Sequence, residues 1–334
     1  MIITKTPFRM SFFGGGTDME NYFREYGGAV LSTTFDKYCY VNVRHLPRFF
    51  DYSTELSYAR TERVTNIEQI EHPLIKNAMK MLDMREIRLT YEADLPARSG
   101  LGTSSSFAVG MLNAFYALKG KYADSKKLAD EAIYLERVLC NEAGGWQDQI
   151  AAAFGGFNRI NFDFEGYEVN PVIISPERKN RLNDNLMMFF TGFTRFSSEV
   201  TKANASSSPA DKKTMLKKMY YLVDEAEKIL VEHNRDIDDF GRLLDVTWKL
   251  KRQTGKAVST DSIDRFYQKG MDAGALGGKL LGAGGGGFLI FYVQPDKQEA
   301  VMDAMKELLY IPFRFENGGT RVIHYTPETF ELKN

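Results

Sequence analysis

The chain has 334 residues, 43% of them hydrophobic and 26% charged, and a formal net charge of −1. That length exceeds one ordinary core and points to two domains, while the near-neutral charge leaves no electrostatic footprint for nucleic acid or for an acidic membrane face. The first five residues hold no long apolar run, nothing approaches a membrane span, and Cys39 and Cys140 form no CxxC pair; a reducing, cytoplasmic setting fits. The four histidines are scattered without metal-ligand spacing.

Residues 2–13 read as a strand interrupted by Pro7. Gly14-Gly15-Gly16-Thr17-Asp18 follows, a loop that places backbone beside something and delivers Thr17 and Asp18 at its end, ahead of a helix over 19–25 that Asp18 would otherwise cap. Residues 29–34 and 38–44 look like two β segments, 49–65 a mobile loop or lid, 72–82 a short helix and 87–92 an alternating strand.

Next comes Pro96-Ala97-Arg98-Ser99-Gly100-Leu101-Gly102-Thr103-Ser104-Ser105-Ser106, then an apolar run over 107–118. The hydroxyls suit the cap of a helix starting there, and the glycines permit a sharp turn close to a ligand. The N–H groups and positive dipole end of that helix would cradle a phosphate. A plain capped surface helix is the alternative.

Residues 125–139 read as a helix in which Leu128, Ala132, Leu135, Glu136 and Leu139 share one face. A carboxylate on that apolar stripe must be paired, with Arg137 or Arg159, or bound to a cation. Gly144-Gly145-Trp146-Gln147-Asp148-Gln149 then places Asp148 before a small-residue helix, suited to a tunable general base or to a cap. Residues 157–162 and 167–174 pair as a hairpin, and the polar stretch 175–184 is the candidate domain boundary, dividing the chain into 1–180 and 181–334. A buried strand over 185–192, a Ser/Ala-rich connection over 197–211 and helices over 212–233, 236–254 and 261–273 follow. Residues 282–287 satisfy GxGxxG, but a β-like run follows them where a dinucleotide fold needs a helix. A glycine-tipped hairpin between residues 279–281 and 288–293 is the reading, with a helix over 296–309 and a closing strand within 311–323.

No Walker A motif and no protein-kinase HRD or DFG tripeptide is present. The three glycine-rich loops, in order, nevertheless resemble the three motifs of the GHMP kinases, the superfamily of galactokinase, homoserine kinase, mevalonate kinase and phosphomevalonate kinase. The middle loop matches PxxxGLGSSS with Thr103 for the first Ser. The opening PFRMSFFGGGTD is similar to the sugar-1-kinase branch, with Gly15 and Gly16 in place of the galactokinase Glu-His pair, and GGGTD with GGWQDQ and AAAFGG is most similar to the heptose phosphate kinases.

The resemblance implies an α/β (α+β) two-domain fold, ribosomal-protein-like then ferredoxin-like, with ATP in the cleft. It implies that Pro96, Ser99, Gly100, Leu101, Gly102, Thr103, Ser104, Ser105 and Ser106 hold the ATP phosphates, and that Ser104 and Glu136 coordinate Mg²⁺. Asp148 would act on the sugar hydroxyl and Arg9 would steady Asp148 and the moving phosphoryl group. Gly15, Gly16, Thr17, Asp18 and the turn of Gly284, Gly285 and Gly286 would take the sugar. For a 7-phosphate, Arg195 is the candidate clamp, with Lys37 and Arg44 behind it. The implied partners are ATP and a small sugar phosphate, with no nucleic acid or membrane, and a homodimer is compatible. The alternatives are a fucokinase-type enzyme, a silent sugar sensor and a mevalonate-diphosphate-decarboxylase-like relative.

Overall fold

The computed structural model describes residues 1–97, 99–192, 209–255 and 257–327, without the side chains of 209–211. Strand β1 (Ile2–Phe13) is followed by helix α1 (Glu20–Tyr26), β2 (Gly28–His45), β3 (Thr54–Ser57), β4 (Thr61–Val64), α2 (Pro73–Met81) and β5 (Ile87–Ala93). Then come α3 (Thr103–Leu118), α4 (Ser125–Ile133) running into a π-helical turn (Tyr134–Leu139), α5 (Gln147–Phe154), β6 (Phe157–Phe162) and β7 (Tyr167–Pro171). The rest is α6 (Pro176–Asp184), β8 (Leu186–Phe190), α7 (Pro209–Val231), α8 (Asp238–Arg252), α9 (Asp261–Asp272), β9 (Gly277–Leu280), β10 (Phe288–Tyr292), α10 (Gln298–Ala304), β11 (Leu309–Tyr310), β12 (Phe315–Glu316) and β13 (Arg321–Tyr325).

The mixed helix and sheet content builds two sheets. The larger runs β13-β1-β2-β5-β3-β4, with β6, β7 and β12 joined through β2. The smaller is antiparallel, β11-β8-β10-β9. Helix α3 is buried almost all round, the signature of a core helix. It packs with α2, α4 and α5 on one face of the large sheet. On the opposite face Phe8, Met10, Phe12 and Phe13 meet α7, α8 and the small sheet. The period-2 alternation of β8 and β10 explains the second join: Met188, Phe288, Ile290 and Tyr292 face that shared core, while Met187, Phe189, Leu289 and Phe291 face Trp248, Ile263 and Phe266. A strand buried on both faces reads as a continuous apolar run, as Leu186–Phe190 does.

Several local expectations change. The segments at 29–34 and 38–44 are one 18-residue strand, because β2 continues through a register shift opposite Pro7 and Phe8. The expected loop at 49–65 contains the β3–β4 hairpin, in which Leu56 is buried and Glu55 holds Arg63 and Arg88. The polar stretch 175–184 is helix α6, its Ser175 hydroxyl accepting from the Arg178 N–H at 3.3 Å. The helix expected over 296–309 is short, with α10 ending at Ala304. Most of the connection at 197–211 lies outside the described residues.

The last described strands return to the first sheet, β13 onto Ile2–Lys5 of β1 and β12 onto Thr34 and Phe35 of β2. Gly155 sits in that return at φ +66°, and a β-carbon there would lie 2.0 Å from the Gly318 carbonyl carbon. Gly155→Ala is therefore expected to destabilise the protein by about 1–3 kcal/mol, combining left-handed strain with a backbone clash; a thermal melt within one degree of wild type would contradict this packing.

Candidate active site

Gly102, in left-handed conformation (φ 72°, ψ 26°), is the residue from which α3 starts, and no side chain caps it. The expected hydroxyl caps are instead first-turn residues pointing elsewhere. Ser104 and Ser105 donate to the two oxygens of Glu136 at 2.9 and 2.7 Å, and the Gln149 amide donates to the same carboxylate. Glu136 is 1% exposed and lies in the π-helical turn. The wide turn keeps Glu136 on the inward face and lets Leu139, expected on that face, turn outward. The ion pairs weighed for Glu136 do not form: Arg159 pairs with Asp224 and Glu227, and Arg137 donates to the carbonyls of Gly145 and Glu142.

Arg9, buried on β1, ties two of the loops. Its Nε and Nη2 both lie 2.8 Å from Oδ1 of Asp148, and its Nη1 donates to the Gly100 carbonyl at 2.7 Å. The Arg9 N–H also donates to the Leu101 carbonyl at 3.2 Å. Asp148 stands in the first turn of α5 and is not its cap, which is Trp146. A β-carbon on Gly102 would come within 3.4 Å of Asp148 Oδ2, so the loop backbone runs beside the carboxylate.

In the first glycine loop, a β-carbon on Gly14 would fall 1.9 Å from the Ala29 carbonyl oxygen. Thr17 is fully buried and its hydroxyl is occupied by the carbonyls of Gly14 and Ala29 and the Ala29 N–H. It shapes the loop and does not present a hydroxyl to the cleft. Asp18 is 2% exposed and accepts from the N–H groups of Gly16 (2.9 Å) and Gln147 (3.2 Å). Burial, then the neighbouring Asp148 charge, pushes its carboxyl above the usual range, with those donors opposing. Gly145 permits the approach, since its β-carbon would lie 1.9 Å from Asp18 Oδ2. Gly15 and Gly16 are half-buried between these groups and Leu216.

The third loop closes on the second. A β-carbon on Gly282 would sit 2.3 Å from Gly100 Cα, and one on Gly287 2.1 Å from the Ser99 carbonyl oxygen. Gly284, Gly285 and Gly286 are buried, Gly284 against Val258, so the half-exposed edge of the turn is Gly282 and Ala283. Arg195 lies outside the described residues. Lys37 pairs with its neighbour Asp36 at 3.3 Å, and Arg44 lines a separate hollow with Asn42, Glu55 and Arg88.

Two lysines at the site were not singled out from sequence. Lys279 is 3% exposed and donates to the carbonyls of Ser11 and Phe12, both at 2.8 Å. Lys251 donates to the Gly282 carbonyl. Leu244, Thr247, Trp248 and Lys251 share the inward face of α8, a helical phase that marks Lys251 as it marked Glu136. Unpaired buried polar atoms also gather here: the hydroxyls of Ser11 and Ser99 and the side-chain carbonyls of Gln147 and Gln149 lack partners among the described residues.

An anion cradle at a helix start, a hydroxyl–carboxylate pair and a carboxylate clamped by arginine are the parts phosphoryl transfer requires. The family models agree: that for the GHMP kinases N terminal domain matches residues 73–156, and that for the GHMP kinases C terminal matches residues 224–311. The D-glycero-alpha-D-manno-heptose 7-phosphate kinase of Campylobacter jejuni is 32% identical over 96% of this chain and 98% of its own. The crystal structure of a D-glycero-D-manno-heptose 1-phosphate kinase from Bacteroides thetaiotaomicron superposes with a TM-score of 0.79, at 25% identity, over 97% of this chain and 99% of that one. A bifunctional fucokinase/GDP-fucose pyrophosphorylase of Arabidopsis thaliana is 24% identical over 90% of this chain and 31% of its own. The chain belongs to the GHMP kinase family and has its two-domain fold. It is a kinase, a phosphotransferase with an alcohol group as acceptor.

Gly282→Ala is expected to force apart the second and third loops, at φ +82° and with no room for a β-carbon. Turnover should fall by roughly tenfold or more from misplacement alone; kcat/KM within twofold of wild type would show that the seam is not needed.

Proposed function

We propose that the chain transfers the γ-phosphoryl group of ATP to the anomeric C1 hydroxyl of a heptose phosphate, D-glycero-D-manno-heptose 7-phosphate, as a step toward nucleotide-activated heptose for surface glycans. The observation that carries the reading is Arg9, which reaches the Gly100 carbonyl of the phosphate loop with one nitrogen and Asp148 with two others. It links the place suited to the phosphates with a carboxylate, Asp148, whose charge also faces Asp18 of the first loop. The similarity to the heptose phosphate kinases supplies the sugar.

In this reading the first turn of α3, with Ser99, Thr103, Ser104 and Ser105 around it, takes the ATP phosphates, while Ser106, expected there too, is buried and donates to the Pro7 carbonyl. The donor set suits Mg²⁺: one buried carboxylate, Glu136, and the exposed hydroxyl of Ser104 are oxygen ligands of the kind this ion accepts alongside phosphate oxygens. No cluster of three or more His, Cys, Asp or Glu forms an all-protein cage among the described residues, so phosphate oxygens would complete the shell. When bound, the ion would neutralise charge on the phosphates.

The C1 oxygen attacks the γ-phosphorus in line. The bond from that phosphorus to the β,γ-bridging oxygen breaks and its electron pair leaves with ADP, while the hydroxyl proton passes to Asp148. Arg9 keeps Asp148 oriented and offsets negative charge on the group in transit. Asp18, Gly15 and Gly16 would receive the sugar, with Thr17 holding their loop in shape. The unpaired Ser11 hydroxyl beside Gly15, and the unpaired side-chain carbonyl of Gln147, whose amide nitrogen lies by the same glycine, add polar positions for hydroxyl groups.

Asp148→Asn is expected to lower kcat by about 10²–10⁴-fold, the usual worth of a positioned acid–base group, with ATP affinity unchanged by calorimetry. A panel of heptose 7-phosphate, L-fucose and galactose with ATP, read by product mass and phosphorus NMR, tests the acceptor. A C1-phosphorylated heptose bisphosphate is the expected product; fucose 1-phosphate alone would favour the fucokinase reading, to which the Arabidopsis relative gives support.

A further inference from the structure

We infer that Lys251 is a phosphate-binding residue of the cleft, a second cation that works with Arg9 on a phosphoryl group; this rests on the kinase reading above. Its neighbours on α8 have carboxylate partners, Lys249 with Asp245 and Arg252 with Asp264. Lys251 has none within ion-pair distance among the described residues, and its hydrogen bond goes to a neutral acceptor, the Gly282 carbonyl. That carbonyl belongs to the glycine that packs against Gly100 of the phosphate loop. Arg9 reaches the Gly100 carbonyl itself. The two cations therefore stand on either side of one seam, and Asp148 lies beside the first.

The charged groups facing Lys251 come from three elements: Arg9 on β1, Asp18 after it, and Lys279 on β9. Lys279 is fixed to two carbonyls and buried, and burial, followed by the Lys251 and Arg9 charges, lowers its amine well below the usual lysine range. Two carboxylates, Asp18 and Asp148, stand among these groups, and Asp148 is already spent on Arg9. An ammonium with one neutral partner, beside the Arg9 guanidinium, is a poor arrangement for an empty cleft and a good one for a cleft that receives a dianion. Burial, followed by the Arg9 charge, lowers the Lys251 amine to about 8, with Asp18 opposing. Below that pH the amine is charged; above it the cation is lost. A bound phosphate would raise it again.

The phosphate has two possible sources, the transferred group of ATP and the acceptor's own ester, and the experiment separates them. Wild type, Lys251→Met and Lys251→Arg are assayed between pH 6 and 9.5 with ATP and either heptose 7-phosphate or the unphosphorylated heptose. Wild-type kcat/KM should fall as pH rises through about 8. Lys251→Arg, whose guanidinium keeps its charge, should lack that limb. Lys251→Met should lose about 10²-fold or more in kcat/KM at pH 7 with its Tm unchanged. An equal loss with both sugars assigns Lys251 to the transferred group, and a loss confined to the phosphorylated sugar assigns it to the acceptor's ester. Lys251→Met within threefold of wild type on both sugars, or a limb near pH 8 that survives in Lys251→Arg, overturns the inference. Should Lys251→Met not fold, the arginine variant decides alone. If wild type turns over neither sugar, the acceptor assignment has failed. Lys251 is then read by lysine-selective NMR, where an amine that does not titrate upward with ATP or with heptose 7-phosphate overturns the inference.

Discussion

The site depends on backbone meeting backbone without side chains between. Gly100 lies against Gly282, Gly287 against the Ser99 carbonyl and Gly14 against the Ala29 carbonyl, and Gly145 in the same way admits a side chain, the Asp18 carboxylate. Several of these contacts are closer than any β-carbon permits, and Gly14, Gly100, Gly282 and Gly287 also sit at positive φ. Two requirements, no Cβ and left-handed backbone, thus fall on the same residues. Close approach lets loops from two sheets share one set of charges. Arg9 spans the gap between the Gly100 carbonyl and Asp148, and Gly102 keeps the same loop beside that carboxylate.

Shared charge is the second constraint. Three carboxylates are withdrawn from water, and each is stabilised differently. Glu136 takes hydroxyl and amide donors, Asp18 takes backbone N–H groups, and Asp148 takes a guanidinium. Only Asp148 has a full counter-charge in contact, and it keeps a quarter of its side chain exposed. Under the proposed function that division would suit distinct tasks: a group that hydrogen-bonds an alcohol must reach the opening, while one that faces a metal-bound phosphate is served by donors that can reorient.

Much of this was legible because burial and polarity conflict visibly in a helix. Glu136 was found as a carboxylate on an apolar stripe, and the same test applied to α8 would have found Lys251 on the face of Leu244 and Trp248. The run Lys249-Leu250-Lys251-Arg252 hid it, since consecutive basic residues at a helix end read as solvated. Loop motifs are legible as glycine spacing, whereas the direction of Thr17 is not, because a threonine at a loop end looks alike whether its hydroxyl faces a ligand or closes on Gly14 and Ala29. The β3–β4 hairpin was hidden for another reason: its strands are four residues each, too short for a period to emerge, and Leu56 is their one fully buried apolar side chain.

Pro7 shows how one residue sets the site's place in the sheet. Before it, both edges of β1 are paired, Ile2–Lys5 with β13 and with β2. Proline offers no N–H to a ladder, and the register shifts immediately after it. The Pro7 carbonyl is taken by the Ser106 hydroxyl of α3, and two residues later the Arg9 N–H goes to Leu101 of the second glycine loop. The edge that β13 occupies in the first half of the strand is thereby handed to the second glycine loop in the second. A central strand, clamped by sheet at one end, carries Arg9 at the other against the loop it serves. The rigidity needed to hold a guanidinium between a carbonyl and a carboxylate comes from the sheet, and the proline marks where sheet ends and cleft begins.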